Sequence, residues 1–411
     1  MPILRRVGCL VFALLIATGC GHNGAPTSSP ASSADQAKAD AVMRVVRNMM
    51  AQAHLKAAIV RVTVDGKEIV TQAVGDSITG VPATTDMHFR NGAVAISYVS
   101  TLLLKLVDQK RVSLDDRLSK WLPDFPHSER ITLGQLAQMT SRYPDYILGN
   151  DAFDNLFYAN QFRQWITQDI LAQIPSRPLL YDPGTNWNYA HTNYVLLGSA
   201  LEKATGQDMP TLLRNEVLGP LGLKATANSD TPAIPQHALH AFSSERRQSL
   251  KIPAGTPFYE ESTYWNPSWT ITHGAIQTTN ICDLEATAVG IGSGKLLWPD
   301  SYKKMVSTEL RGKTHAQSDC PTTCFEQNDG YTYGLGIVIS GDWLMQNPMM
   351  AGYAAVEAYL PAQKAAVAVA VTYAPEAFDG QGNYSNQADI LFRKIGAVVA
   401  PNNAPPMPPG R

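Results

Sequence analysis

The stretch from residue 89 to residue 126, FRNGAVAISYVSTLLLKLVDQKRVSLDDRLSKWLPDFP, says more about the fold than any other part of this 411-residue chain. Within it, VSTLLLKLVDQ (residues 99–109) has apolar residues at helical spacing. This pattern predicts a helix over these residues. The sequence on either side of this stretch predicts the strands and the other helices of the fold.

Strand-like runs lie towards both ends of the chain. AAIVRVTV (57–64) and KEIVTQAVG (67–75) flank Asp65-Gly66, a pair typical of a two-residue hairpin turn. Strand character returns late, in YGLGIVIS (333–340), AAVEAYLP (354–361) and AAVAVAVTY (365–373). These runs predict an antiparallel sheet built from both ends of the chain.

Helical patterns fill the middle of the chain and also flank the strands. Residues 35–54 and 386–400 predict the first and last helices, and NYVLLGSALEKAT (193–205) predicts another that stops at Gly206. The fold class is therefore α+β: a sheet from both chain ends, flanked by helices, with an inserted helical lobe. A ligand cleft is expected between the sheet and this lobe.

The N-terminus has the features of an export signal. Arg5 and Arg6 precede an apolar run that is too short to span a bilayer, and Ile16–Cys20 resembles a bacterial lipobox except for Ala17. We expect an exported protein that is lipidated at Cys20 and thereby anchored to the cell membrane, with an ordinary cleaved signal as the alternative. The predicted segments are a signal (1–19), a flexible tether (20–36), a folded domain (37–400) and a disordered proline-rich tail (401–411).

Composition and cysteine content narrow the function classes. The chain is 45% hydrophobic with a formal net charge of -2, and no basic stripe favours nucleic acid as a partner. Cys320 and Cys324 are predicted to form a short disulfide loop, with Cys282 a free buried thiol; pairing of Cys320 with Cys282 stays open. The sequence predicts no metal site and no cofactor.

Three stretches together resemble the penicillin-recognising serine hydrolases, the family of serine β-lactamases and DD-peptidases. Residues 89–126 are similar to the nucleophile helix and the turn after it, and YDPGTNWNYAHTNYVLLGSALEKATGQ (181–207) resembles the second motif. Residues 274–297 and the final strands are similar to later parts of that fold. The resemblance implies the fold described above and, in an ordinary member, serine hydrolase activity.

The resemblance also implies where the catalytic residues should stand. Phe89-Arg90 and Gly92 fix the register, so the nucleophilic serine falls at Ala93 and the lysine that assists it at Ile96. A methyl group cannot attack a carbonyl, and an aliphatic side chain cannot accept a proton. We therefore expect a catalytically inactive pseudoenzyme that acts by binding peptidoglycan fragments or an envelope protein.

The other two motifs are altered as well. Tyr189 stands at the position of the catalytic tyrosine, but His191 replaces the asparagine two residues later. The third motif should fall near Gln346-Asn347-Pro348, where neither its cation nor its glycine is present. The alternative hypothesis is a rewired serine hydrolase that uses Ser97, one helical turn beyond Ala93, with Tyr189 and His191. Ser301, in the only other Ser-x-x-Lys stretch, is interpreted as a chance match.

Further residues are candidates for the cleft or for a metal. Tyr259 and Trp265 lie in an aromatic stretch that should line the cleft or, alternatively, cover the core. His237 and His240 could join His191 and His273 in a metal site, but their spacing does not favour this.

Overall fold

A computed structural model describes Cys20 and residues 32–407, except for 175–178, 229 and 254. The predicted signal (1–19), most of the tether and residues 408–411 lie outside the described residues. No helix within the described part is long and apolar enough to cross a membrane.

Eleven helices occur in the described residues. In chain order they are α1 (Ser33–Gln52), α2 (Val94–Asp108), α3 (Leu133–Ala137), α4 (Asp151–Ala159), α5 (Thr167–Leu171), α6 (His191–Thr205), α7 (Met209–Leu213), α8 (Gly219–Leu221), α9 (Ile281–Gly292), α10 (Pro299–Met305) and α11 (Gln387–Val399). Between residue 79 and α9 most of the chain is helix and loop, which forms the inserted helical lobe.

The strands gather mainly into one sheet. They are β1 (Leu55–Val64), β2 (Lys67–Ile78), β3 (Val81–Pro82), β4 (Phe89–Arg90), β5 (Ala227–Asn228), β6 (Phe242–Ser243), β7 (Glu260–Glu261), β8 (Gln277–Thr279), β9 (Thr332–Tyr333), β10 (Val338–Ser340), β11 (Trp343–Gln346), β12 (Met349–Met350), β13 (Tyr353–Leu360) and β14 (Ala365–Tyr373). The large sheet has the order β3-β2-β1-β14-β13-β11-β10-β9, with β12 paired to β13. Its named pairs are antiparallel, and β1 from the start of the domain pairs with β14 from its end.

Burial explains why this sheet forms where it does. Every residue of β13 and β14 is buried, so layers must cover both faces. The helices α9 and α11 both contact these two strands, and α1 packs against α11 and β1. The Asp65-Gly66 turn has positive φ at both residues, which is the geometry of the predicted hairpin. The predicted α+β fold class is confirmed.

Several predicted boundaries need correction. The stretch 333–340 is not one strand: it divides between β9 and β10, with Gly336 at positive φ between them. The tether ends earlier than predicted because α1 begins at Ser33, where the Ser32 side chain accepts the Asp35 N–H.

The predicted disordered tail is wrong over its first residues. A 3₁₀ turn spans Pro401–Asn403, and the Asn403 carbonyl accepts the Trp343 indole N–H at 2.7 Å. The Arg393 guanidinium donates to the carbonyl of Pro406. These bonds hold residues 401–407 against the sheet and α11, which proline content alone did not predict.

Candidate active-site cleft

A cleft of about 800 Å³ lies where the start of α2, the start of α6 and the segment after β11 converge. Ala93, Ile96, Tyr189, His191, Trp265, Gln346 and Asn347 all line it. The structure therefore brings together seven of the site residues singled out in the sequence.

The floor of the cleft is set by the way α2 begins. Arg90 on β4 pairs with Thr278 on β8, and the chain then turns through Gly92, whose φ is +50°. A Cβ atom on Gly92 would lie 2.7 Å from the Cβ of Pro348, so glycine permits the close approach of the two segments. Ala93 follows as the N-cap of α2, with no side-chain capping hydrogen bond. Its methyl group and the Ile96 side chain present only hydrocarbon to the cleft.

Ser97 does not enter the cleft. It is fully buried, and its hydroxyl donates to the Val94 carbonyl of its own helix at 2.7 Å. Ser97 is also not among the residues that line the cavity. The hypothesis of a substitute nucleophile at Ser97 is therefore wrong.

Ser301 has a structural role. It is buried near the start of α10, and its hydroxyl donates to Asp108 at 2.5 Å. This bond joins the helices α10 and α2, which agrees with the interpretation of its motif as a chance match.

The opposite wall is polar and comes from the start of α6. The Nδ1 atom of His191 lies 2.8 Å from Oδ2 of Asp145, whose side chain is only 1% exposed. The other oxygen of Asp145 accepts the Ile147 N–H at 2.9 Å. This carboxylate fixes the imidazole ring at the cleft wall. Asp145 was missed in the sequence because it lies in a loop 46 residues before His191, and no motif links the two.

Tyr189 packs beside that histidine. The two rings meet edge to face, with centroids 5.2 Å apart. Burial raises the pKa of Tyr189 well above its ordinary value, so the phenol stays protonated at neutral pH. A protonated phenol can bind a ligand by hydrogen bonding, but it is a poor proton acceptor.

The third-motif segment lies against the start of α2 but turns its amides towards the protein. The amide of Gln346 donates to the Gly336 carbonyl at 2.8 Å, and that of Asn347 donates to Asp389 at 3.2 Å. Both amides therefore support the cleft wall more than they offer groups to a ligand.

The aromatic predictions have mixed outcomes. Trp265 lines the cleft, as expected, and is 3% exposed. Tyr259 does not line it: its ring stacks on Phe242 with centroids 5.1 Å apart, and its hydroxyl donates to the Tyr373 carbonyl at 2.5 Å. The placement of Tyr259 in the cleft is therefore wrong. Trp269, from the same aromatic stretch, also lines the cavity, together with four aromatic residues that were not singled out: Phe153, Phe157, Tyr158 and Tyr331.

The disulfides differ from the expectation at one cysteine. Cys320 pairs with Cys324 as predicted, and the carbonyl of Thr323 inside that loop accepts the Tyr189 N–H at 3.0 Å. Cys282, expected to be a free thiol, pairs instead with Cys20. A sulfur atom in a disulfide cannot also carry a lipid thioether, so this pairing and lipidation of Cys20 exclude each other in one molecule.

The histidines are dispersed. Each of the four considered for a metal site faces a different carboxylate: His191 with Asp145, His237 with Asp86, His240 with Glu261 and His273 with Asp230. No group of three or more potential metal ligands occurs among the described residues.

Two carboxyl groups give the cleft an acidic end. Asp154 on α4 and Glu245 both line the cavity and also an adjoining cavity of about 500 Å³. Burial, with nearby carboxylates, raises the pKa of Asp154 to about 6 and that of Glu245 to about 7. No sequence pattern indicates this pair, because the two residues lie far apart in the chain.

Solved structures share this architecture. The D-amino acid amidase of Ochrobactrum anthropi SV3 superposes with a TM-score of 0.72 at 18% identity, covering 88% of this chain and 99% of that one. The penicillin binding protein of Bacillus halodurans gives 0.66 at 17% identity, covering 86% and 99%. At these identities the likeness shows the fold alone.

Curated relatives match over part of their length. Esterase EstB of Burkholderia gladioli is 26% identical over 196 residues, which are 44% of this chain and 50% of that protein. Penicillin-binding protein 4 of Amycolatopsis lactamdurans is 31% identical over 197 residues, or 45% of this chain and 47% of that protein. The chain thus spans about half the length of these relatives. The Beta-lactamase family model matches residues 42–392, and the chain belongs to that family.

Proposed function

We propose that this protein is an exported member of the Beta-lactamase family that binds a ligand in its cleft without forming an acyl-enzyme. The observation that carries the proposal is an open cleft with Ala93 and Ile96 at the positions implied for nucleophile and base. Loss of nucleophile or base in serine hydrolases costs on the order of a millionfold in turnover. A cavity of about 800 Å³ is large enough for a drug-sized ligand.

Peptidoglycan fragments are the first ligands to test, since two relatives are named as penicillin-binding proteins. Binding of purified muropeptides is measured by isothermal titration calorimetry. The variant Ala93→Phe should reduce the affinity at least tenfold, because its ring occupies the cleft floor. The matched control is Ala37→Phe on the exposed face of α1. Equal affinity in Ala93→Phe and the wild type would show that the ligand does not use this cleft.

The rewired hydrolase remains a competing function with one supporting observation. The His191–Asp145 pair could accept a proton from water, although Ser97 supplies no nucleophile. A chromogenic ester assay separates the two functions. The binding proposal predicts no turnover above that of a His191→Ala variant, whereas turnover that this substitution abolishes would support the hydrolase.

Export and anchoring are part of the proposal. The lipobox-like segment supports lipidation at Cys20, while the disulfide with Cys282 occupies the same sulfur. Mass spectrometry of the mature protein from the producing cell decides between them. A diacylglyceryl group on Cys20 would support the anchor, and an intact Cys20–Cys282 disulfide would rule it out.

A further inference from the structure

One wall of the cleft is an aromatic cluster formed by Phe153, Phe157, Tyr158, Trp265 and Trp269. The ring centroids of Phe157 and Trp269 lie 4.5 Å apart, and those of Tyr158 and Trp265 lie 6.3 Å apart. Phe157 also meets Trp265 edge to face at 6.0 Å. The five rings thus form one continuous surface that a ligand in the cleft would contact.

The two carboxyl groups of the acidic end adjoin this aromatic cluster. Asp154 lies on α4 between Phe153 and Phe157, so it shares their helix face towards the cleft. Among the described residues its carboxylate makes no hydrogen bond or ion pair. Glu245 accepts a hydrogen bond from Ser243 at 2.6 Å, and no ion pair to it occurs in the described part.

Within the described part of the chain, no cation offsets these carboxylates. The described residues that line the cleft include no lysine, and their single arginine, Arg393, is paired with Asp389 at 2.8 Å. Arg246, next to Glu245 in the chain, is paired with Glu260 at 3.0 Å. Two interactions therefore favour a positive charge here: Coulomb attraction by carboxylates without a cationic partner, and the quadrupoles of the adjoining aromatic rings.

The mouth of the cleft is apolar. Leu148 is 43% exposed, Met349 is 41% exposed and Met407 is 60% exposed, and all three line the cavity. An apolar mouth, an aromatic wall and an acidic end favour a ligand that combines an apolar body with a positive group.

We propose that the cleft binds organic cations, with an ammonium group between Asp154, Glu245 and the aromatic cluster and an apolar body towards the mouth. This inference rests on the proposed function, since it names the chemical class of the ligand that the cleft takes. Burial makes the two carboxyl groups harder to ionise, and a bound ammonium would supply the positive charge that they lack.

The test uses three probes that share one benzyl group: benzyltrimethylammonium, benzyl alcohol and phenylacetate. The quaternary ammonium keeps its charge at every pH. Binding is followed by tryptophan fluorescence, because Trp265 and Trp269 line the cleft, and by titration calorimetry. We expect the cation to bind at least tenfold more tightly than the alcohol, and phenylacetate to bind most weakly.

Near-isosteric variants locate the site. Asp154→Asn and Glu245→Gln should each weaken the binding of benzyltrimethylammonium at least threefold while leaving that of benzyl alcohol unchanged. The matched control, Asp115→Asn, removes an exposed carboxylate that lines neither cavity, and it should bind the cation like the wild type. Circular dichroism confirms that each variant is folded.

The inference is overturned if benzyl alcohol binds as tightly as the cation, if none of the probes binds, or if both carboxyl variants bind the cation like the wild type. These outcomes are independent of the test for a covalent adduct. If the cleft forms no acyl-enzyme and binds the cation no more tightly than the alcohol, only the cation site is refuted. A covalent adduct would refute the proposed function even if cations bind.

Discussion

Two helices begin at the cleft, and their first residues differ in chemistry. The start of α2 presents Ala93 and Ile96, which are hydrocarbon only. The start of α6 presents His191, whose ring is fixed by the buried Asp145. The start of α2 lacks the nucleophile and the base that the family resemblance implies there. The start of α6 carries an ordered pair of polar side chains.

This contrast separates the scaffold from the chemistry. The fold rests on many buried residues, including all of β13 and β14, so two substitutions at the cleft floor leave it intact. Acyl transfer needs a particular nucleophile and base, and neither Ala93 nor Ile96 can act as one, which is why we propose that the cleft binds without acyl transfer. The polar start of α6 remains suited to binding by hydrogen bonds.

The largest expected effect concerns the start of α6, where Asp145 holds His191. Asp145→Ala removes a buried carboxylate that accepts hydrogen bonds from His191 and Ile147, which should lower the free energy of unfolding by about 3 kcal/mol. Urea denaturation measures the change. The control is Asp124→Ala, at an exposed position. A loss below about 0.5 kcal/mol would show that the pair does not hold the α6 start.

The next effect concerns the start of α2, where Ala93 and Ile96 present only hydrocarbon. Gly92→Ala places a Cβ 2.7 Å from Pro348 at a φ of +50°, and we expect a loss of about 2 kcal/mol in unfolding free energy. Gly312→Ala is the matched control, since its φ is +68° and no atom lies within 4 Å of its Cβ position. Equal losses in the two variants would mean that the contact between α2 and Pro348 adds no constraint.

A smaller effect concerns the acidic end of the cleft, where Asp154 and Glu245 lie. Burial raises the pKa of Glu245 from 4.5 to about 7, so the folded state holds its proton more tightly than the unfolded state. The contribution of protonated Glu245 to the free energy of unfolding is therefore lost as the pH rises from about 4.5 to about 7. The nearby carboxylate of Asp154 on α4 also raises the pKa of Glu245, whereas the hydrogen bond from Ser243 lowers it.

Glu245→Gln should remove this pH dependence and gain about 1–2 kcal/mol over the wild type between pH 4.5 and pH 7.5. Chemical denaturation across that range measures the difference, with the exposed Glu326→Gln as control. A constant difference between Glu245→Gln and the wild type at all pH values would contradict the raised pKa.

The smallest effect is expected at Ser97. Ser97→Ala removes one hydrogen bond within α2 and should change the unfolding free energy by less than about 1 kcal/mol. It should change neither ligand affinity nor reactivity towards esters. A loss of activity in this variant would restore Ser97 as a functional residue.

The sequence predicted the parts of the fold that depend on local patterns. The Asp65-Gly66 hairpin, the strand Ala365–Tyr373 and the helix that stops at Gly206 occur as expected, because alternation, turn residues and caps act over a few residues. The register around Gly92 also placed Ala93 and Ile96 at the cleft.

The remaining features depend on contacts between distant parts of the chain. Asp145 reaches His191, Asp154 approaches Glu245, and Pro406 accepts a hydrogen bond from Arg393 only because the fold brings them together. Tyr259 was misplaced for the same reason, since an aromatic residue near a cleft can equally well pack on a neighbour such as Phe242. Spacing along the chain carries no information about such pairs.

The central claim is that no side chain of the cleft forms an acyl or phosphonyl bond. The most direct measurement is intact-mass spectrometry of the folded protein after incubation with a fluorophosphonate and, separately, with a penicillin. We expect an unchanged mass in both cases. A stoichiometric adduct that peptide mapping places on a residue of the cleft would contradict it.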